Sequence, residues 1–138
     1  MDRPLPEADA DSAPFWEACG RHELRVQRCV DCGARRHPPR PLCPHCRSAR
    51  VEWERLSGRG EVYSWVVAHP PVLPAFQDRV PFAVVLVTLA EDPGLRLLGN
   101  LFDCDPTAIR IGLPVELTFE DAGDGVTLPQ WRPAEGVG

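Results

Sequence analysis

Through the second half of the chain, apolar and polar residues alternate with a period of two, which predicts strands and not helices. Residues 61–69 are rich in β-branched and aromatic side chains and follow Gly58 and Gly60, two glycines that suit a bend or a bulge. Residues 82–89 are apolar on both faces, so both sides of that strand require a cover. A third strand, over 95–102, follows the turn residues Glu91-Asp92-Pro93-Gly94. A fourth is marked by Val115, Leu117 and Phe119 alternating with Glu116, Thr118 and Glu120, and a fifth, over 126–131, is entered through Gly123-Asp124-Gly125. The first half differs. Ser12 is placed to cap a short helix over 13–18, with Pro14 in its first turn and Gly20 at its end. Leu24 and Val26 then alternate with polar residues as a strand, and the stretch after Cys46 reads as a connector.

Five short strands, one helical turn over 106–109 and no helix long enough for a parallel crossover predict a small closed barrel of the oligonucleotide/oligosaccharide-binding (OB) type. The expected fold is therefore mainly β: a short N-terminal helix and a metal ribbon, followed by a five-stranded OB barrel. The expected division is 1–23 for tail and helix, 24–55 for the ribbon and 56–138 for the barrel. Residues 1–11 lack periodicity and are expected to be mobile. Between the first two barrel strands, residues 69–81 carry prolines among apolar residues, a composition that suits a contact loop.

The ribbon rests on cysteine spacing. Cys29 and Cys32 form one Cys-x-x-Cys pair, and Cys43 and Cys46 form a second ten residues further on. Each pair closes a tight knuckle, and together they can direct four thiolates at one tetrahedral centre. Gly33 supplies the positive φ that such a knuckle often needs, and Pro44 stiffens the second one. Four thiolates leave no open coordination position, so the metal is expected to be structural zinc; iron in the same cage is not separated from it by spacing alone. Disulfides are the competing use of these cysteines.

Charge is unevenly distributed. Residues 1–20 carry one Arg against five acids (−4), 21–60 ten Arg against four acids (+6), and 61–138 four Arg against eleven acids (−7). All fifteen basic residues are Arg, whose planar fork grips phosphate or carboxylate. No run of eighteen apolar residues is present, and the start is acidic, so neither a membrane span nor a signal peptide is expected and the chain is assigned to the cytoplasm. In that reducing compartment, cysteines serve as metal ligands and free thiols.

The chain also resembles a known family, the DUF35 proteins. The resemblance is carried by Pro14-Phe15-Trp16-Glu17, Gln27-Arg28-Cys29 with Cys32-Gly33, Pro38-Pro39-Arg40-Pro41 before Cys43-Pro44-His45-Cys46, and Gly58-Arg59-Gly60 with Val62-Tyr63-Ser64. Leu97-Leu98-Gly99-Asn100, Cys104-Asp105-Pro106, Ile111-Gly112 and Pro114-Val115 extend it over nearly the whole chain after Asp11. The resemblance implies a rubredoxin-like zinc ribbon and an OB-fold in an accessory subunit. Such a subunit binds a thiolase-like enzyme (a thiolase, an acyltransferase or a sterol-carrier-type aldolase of lipid or steroid metabolism) and helps hold or channel acyl-CoA. Some members are fused to a hydratase domain; this chain is expected to stand alone. Arg47 occupies a position where the family commonly has Gly, which is expected to alter the second knuckle's turn.

Three functions compete. As an acyl-CoA accessory module, the chain has Arg35, Arg36, Arg40, Arg47 and Arg50 to meet CoA phosphates or an acidic partner surface. Partner contacts are expected from Phe15, Trp16, Val72, Leu73 and Phe76, although two aromatics on one short terminal helix more often pack on the chain's own core. Nucleic-acid binding is the alternative, since ribbons and OB barrels both serve it, but the barrel half at −7 repels phosphates and argues against it. A free-standing catalyst would use Cys19 or Cys104 with His22 or His69, and no spacing builds a base and an oxyanion site around them; the chain alone is not expected to be an enzyme.

Overall fold

The computed structural model describes residues 9–68 and 82–134. Helix α1 (Ala13–Gly20) leads into a three-stranded antiparallel sheet of β1 (Leu24–Cys29), β2 (Arg35–Arg36) and β3 (Val51–Leu56), in the order β2-β1-β3. Then come β4 (Arg59–Ala68), β5 (Phe82–Leu89), β6 (Asp92–Leu101), a 3-10 turn (Pro106–Ala108), β7 (Pro114–Gly123) and β8 (Val126–Pro133). These last five strands close into a barrel, β4-β5-β6-β8-β7, the OB order that the strand pattern predicts. The contact loop expected at 69–81, with His69, Val72, Leu73 and Phe76, and the N-terminal tail before Asp9 lie outside the described residues.

Two local expectations change. Ser12 does not cap α1 with its side chain: Ser12 Oγ accepts from the Asp9 amide (3.1 Å) and Asp9 Oδ1 accepts from the Ser12 amide (2.7 Å), so the pair orders the turn before the helix. The expected connector after Cys46 contains β3, which pairs with β1 along its whole length, from Leu24↔Leu56 to Cys29↔Val51.

The barrel core is built from inward residues of alternating strands. Val62, Val85, Val87, Val115 and Trp131 are all at most 1% exposed. Leu24, Val26 and Leu56 of the ribbon sheet and Phe15 and Cys19 of α1 join the same cluster. One continuous core thus runs beneath helix, ribbon and barrel. Gly60 makes the β4–β5 approach possible, because a Cβ there would overlap the Thr88 carbonyl and lie 2.6 Å from Val87 Cγ1.

Closure is uneven around the barrel. β4 and β7 share three residue pairs, and β6 and β8 share one, Leu101↔Trp131, in parallel. Strand β5 buries Ala83, Val85, Val87 and Leu89 inside and leaves Phe82, Val84, Leu86 and Thr88 half-buried outside. Covering of that outer face is incomplete, since Val66 and Leu98 on the flanking strands are 64% and 59% exposed.

Candidate metal centre and the groove beside it

The backbone of each knuckle brings its two cysteines together in the same way. In the first, the Gly33 amide donates to the Cys29 carbonyl (2.9 Å) with Gly33 at φ +78; in the second, the Arg47 amide donates to the Cys43 carbonyl (2.8 Å) with Arg47 at φ +64. Arg47 therefore does not alter the turn. It adopts the left-handed conformation that glycine takes at the matching position, which costs a non-glycine residue about 1–2 kcal/mol.

The four Sγ atoms of Cys29, Cys32, Cys43 and Cys46 all lie within 4.8 Å of one another. Cys29 and Cys46 are 3.5 Å apart and Cys32 and Cys43 3.6 Å apart, close to the ~3.8 Å edge of a tetrahedron built on zinc–sulfur bonds of ~2.3 Å. These separations exclude a disulfide, and all six cysteines are free thiols. Amides supply the supporting shell. The Cys32 N–H points at Cys29 Sγ (3.5 Å) and the His45 N–H at Cys43 Sγ (3.4 Å). The four thiols titrate together: backbone N–H groups lower Cys43 and Cys29, while against the pull of their own backbone donors the neighbouring sulfurs raise Cys32 and Cys46. The site fits structural zinc, with all four positions filled by protein.

Most of the arginines expected to meet a ligand are already engaged. Arg35 grips Glu54 with two bonds, at 2.7 and 2.9 Å, and reaches Asp92 at 3.7 Å, tying the ribbon to the start of β6. The bonds to Glu54 raise the Arg35 pKa, and those from Arg35 lower that of Glu54. Arg50 pairs with Asp31 at 2.7 Å, beside the Ser48–Asp31 hydrogen bond. Arg36 is 5% exposed and spends Nε and Nη2 on the Arg40 carbonyl, while its Nη1 is buried without a partner. The Arg40 amide donates to Gln27 Oε1 (2.7 Å), so Arg36 and Gln27 hold both sides of that residue. Only the side chains of Arg40 and Arg47, of the five, have no hydrogen bond or ion pair among the described residues.

The turn held in this way, His37 to Pro39, forms one wall of an apolar groove of about 480 Å³. Its other walls are Phe15 and Trp16 of α1, Val84 and Leu98 on the outer barrel face, and Leu128 to Gln130 of β8. Sequence reasoning missed this groove because five separate segments build it. Phe15 is 4% exposed and belongs to the core, whereas Trp16, packed edge-on against it at 5.0 Å, is half-buried at the groove's rim. His37 lies 5.1 Å from the Phe15 ring, and burial pushes it down to about 4.

The cysteines considered for catalysis are not placed for it. Cys19 is fully buried in the core, and that burial pushes its thiol up to about 12. Cys104 is raised by burial and by the Asp105 charge, and its thiol points at the Asp105 carbonyl at 3.5 Å. His22 stacks on Phe119 at 5.0 Å.

Family models match two segments: the ChsH2 rubredoxin-like zinc ribbon domain over residues 16–52, and the ChsH2 C-terminal OB-fold domain over 53–120. The "Probable enoyl-CoA hydratase alpha subunit" of Thermomonospora curvata is 45% identical over 96% of this chain, and the match spans 40% of that protein's length. A "DUF35 domain-containing scaffold protein" of Methanothermobacter thermautotrophicus is 37% identical over 77% of this chain and 81% of its own. The solved structure "Ltp2-ChsH2(DUF35) aldolase" contains a chain 43% identical to this one, with TM-score 0.86, covering 94% of this chain and 98% of that one. Ribbon, barrel and relatives agree, and the chain belongs to the DUF35 family.

Proposed function

We propose that this chain is a non-catalytic accessory subunit that docks on a thiolase-like enzyme and helps that enzyme hold or channel acyl-CoA. The observation that carries the reading is the near end-to-end correspondence with a chain of the Ltp2-ChsH2(DUF35) aldolase, at 43% identity. A second support is internal: a structural metal with no open position, one inert buried thiol and one half-buried thiol hydrogen-bonded to a carbonyl leave the described residues without a catalytic constellation. Such a chain contributes by binding.

For an acyl-CoA, Arg40 and Arg47 are the two of the five candidate arginines left free among the described residues, both exposed, and these are the side chains proposed to meet its phosphates. Trp16 at the groove rim is the partner contact on the helix, and the cytoplasm is the compartment that suits the free thiols. Co-expression with a thiolase-fold aldolase is the test. The two chains should purify together, the enzyme's activity should fall when this chain is omitted, and Trp16→Ala should weaken the complex by about 2 kcal/mol without changing zinc content. An aldolase equally active and equally soluble alone would overturn the reading.

A further inference from the structure

We propose that the groove between β6 and β8 receives an extended, apolar segment of the partner enzyme, which adds as a strand to the free edge of β6 at Leu98. The inference rests on the accessory-subunit reading and names the surface that the reading leaves open.

β6 pairs with β5 from Thr88↔Arg96 through Val84↔Asn100, but meets β8 at Leu101 alone. Within an antiparallel ladder, alternate residues turn their N–H and C=O to opposite sides. The Asn100 amide points away from β5, because it donates to Gln130 Oε1 of β8 at 2.6 Å. Leu98 has the same parity, so its N–H and C=O face the same side, into the groove. β8 gives Leu98 no ladder pair there, since Leu101↔Trp131 is the one residue pair between β6 and β8 among the described residues.

Side chains set the character of the occupant. Leu98 is 59% exposed, and Val84, Trp16 and Leu128 border the same space. An unpaired strand edge beside an apolar trough is the arrangement that β-strand addition uses: backbone bonds supply affinity and pockets for alternate side chains supply selectivity. An acyl chain or a sterol ring would fill the trough but leave the Leu98 amide and carbonyl unanswered. A peptide in β conformation answers both. The occupant is assigned to the enzyme because a chain 43% identical to this one comes from an aldolase structure named for two components, Ltp2 and ChsH2(DUF35).

The test uses the full chain, with its zinc, titrated with the Ltp2 polypeptide of the related aldolase. Leu98→Pro removes the outward N–H without removing a bond to β5, and Leu98→Arg places a charge in the trough. Each should weaken the complex about tenfold or more, while Leu98→Val should bind as the parent does. Amide exchange on the unmutated complex gives a readout that does not depend on any variant folding: the Leu98 amide should become protected on binding. A complex that forms normally with Leu98→Arg, or leaves the Leu98 amide exchanging as before, overturns the strand-addition site and spares the subunit reading. Self-association of this chain, lost in Leu98→Arg, would instead make the occupant a second copy and overturn the proposal. Absence of any complex with the parent chain overturns the reading and the inference together.

Discussion

The ribbon and the barrel solve the same problem by different means. The barrel buries large side chains from every strand, with Trp131 fully enclosed and Val62, Val85, Val87 and Val115 around it. The ribbon has only a few buried apolar residues of its own, and those on its sheet, Leu24, Val26 and Leu56, point into the barrel's cluster. The knuckles project beyond that shared core, where Val30 and Leu42 are 44% and 51% exposed. Burial cannot hold them, and the metal supplies the missing free energy. The comparison teaches that the ribbon is half tertiary structure and half coordination chemistry, with the division falling at Cys29, the last residue of β1 and the first of the four ligands.

Removing the metal should break the comparison most strongly. Zinc contributes on the order of 10 kcal/mol to small ribbons and fingers. Chelation, or Cys43→Ser, should abolish the metal content of one zinc per chain and expose the knuckle amides, such as Gly33 and Arg47, to exchange. Amides of β5 should stay protected. Elemental analysis and hydrogen exchange on the same sample decide it, and simultaneous loss of β5 protection would show that the barrel depends on the metal as well.

Trp131→Ala tests the opposite half. Removing the barrel's largest buried side chain should cost about 3–5 kcal/mol in denaturant unfolding. The protein that remains folded should still hold one zinc per chain. Loss of zinc in step with loss of barrel stability would mean that the ribbon is a dependent of the core.

His37 sits where the two halves meet, and its titration should read their contact. Half-buried and packed against Phe15, it is pushed by desolvation to a folded pKa of about 4 against an ordinary 6.5. The unfolded chain therefore takes up a proton first, so stability is intact above about pH 6.5 and falls as the pH drops towards 4, by about 2–3 kcal/mol. Acid also protonates the zinc thiolates, so the parent must be compared with His37→Phe. The difference between their stability profiles should open below pH 6.5, and parallel profiles would sink the assignment.

The barrel was legible because its strands keep period-two alternation, as in Val115 to Glu120, and because 82–89 stands out as apolar on both faces. The metal centre was legible because spacing alone positions four sulfurs. β3 was not: Glu52, Glu54 and Arg55 make it look like linker, and its partner β1 lies beyond both knuckles, a pairing that local pattern does not encode. Arginine clustering misled for a related reason. The acids that bind Arg35 and Arg50 lie nineteen residues away in sequence and within hydrogen-bond reach in the fold. The groove is the extreme case, since no one segment carries its signal.

The smallest expected effect concerns the symmetry between the knuckles themselves. Gly33 and Arg47 hold matching positions with φ of +78 and +64, and each donates its amide to the first cysteine of its pair. Only Gly33 does so without steric cost, because a side chain in the left-handed region crowds its own backbone. Arg47→Gly relieves that strain but gives the unfolded chain more freedom to lose, which offsets part of the gain. The net should be a stabilisation of up to about 1 kcal/mol in denaturant unfolding of the zinc-loaded protein, with metal content unchanged. Arg47→Ala serves as the control: it removes the exposed guanidinium and keeps the strain, so it should leave stability near that of the parent. Equal stabilisation by both would trace the effect to the Arg47 charge among its basic neighbours, and the two knuckles would then be equivalent in geometry and in strain.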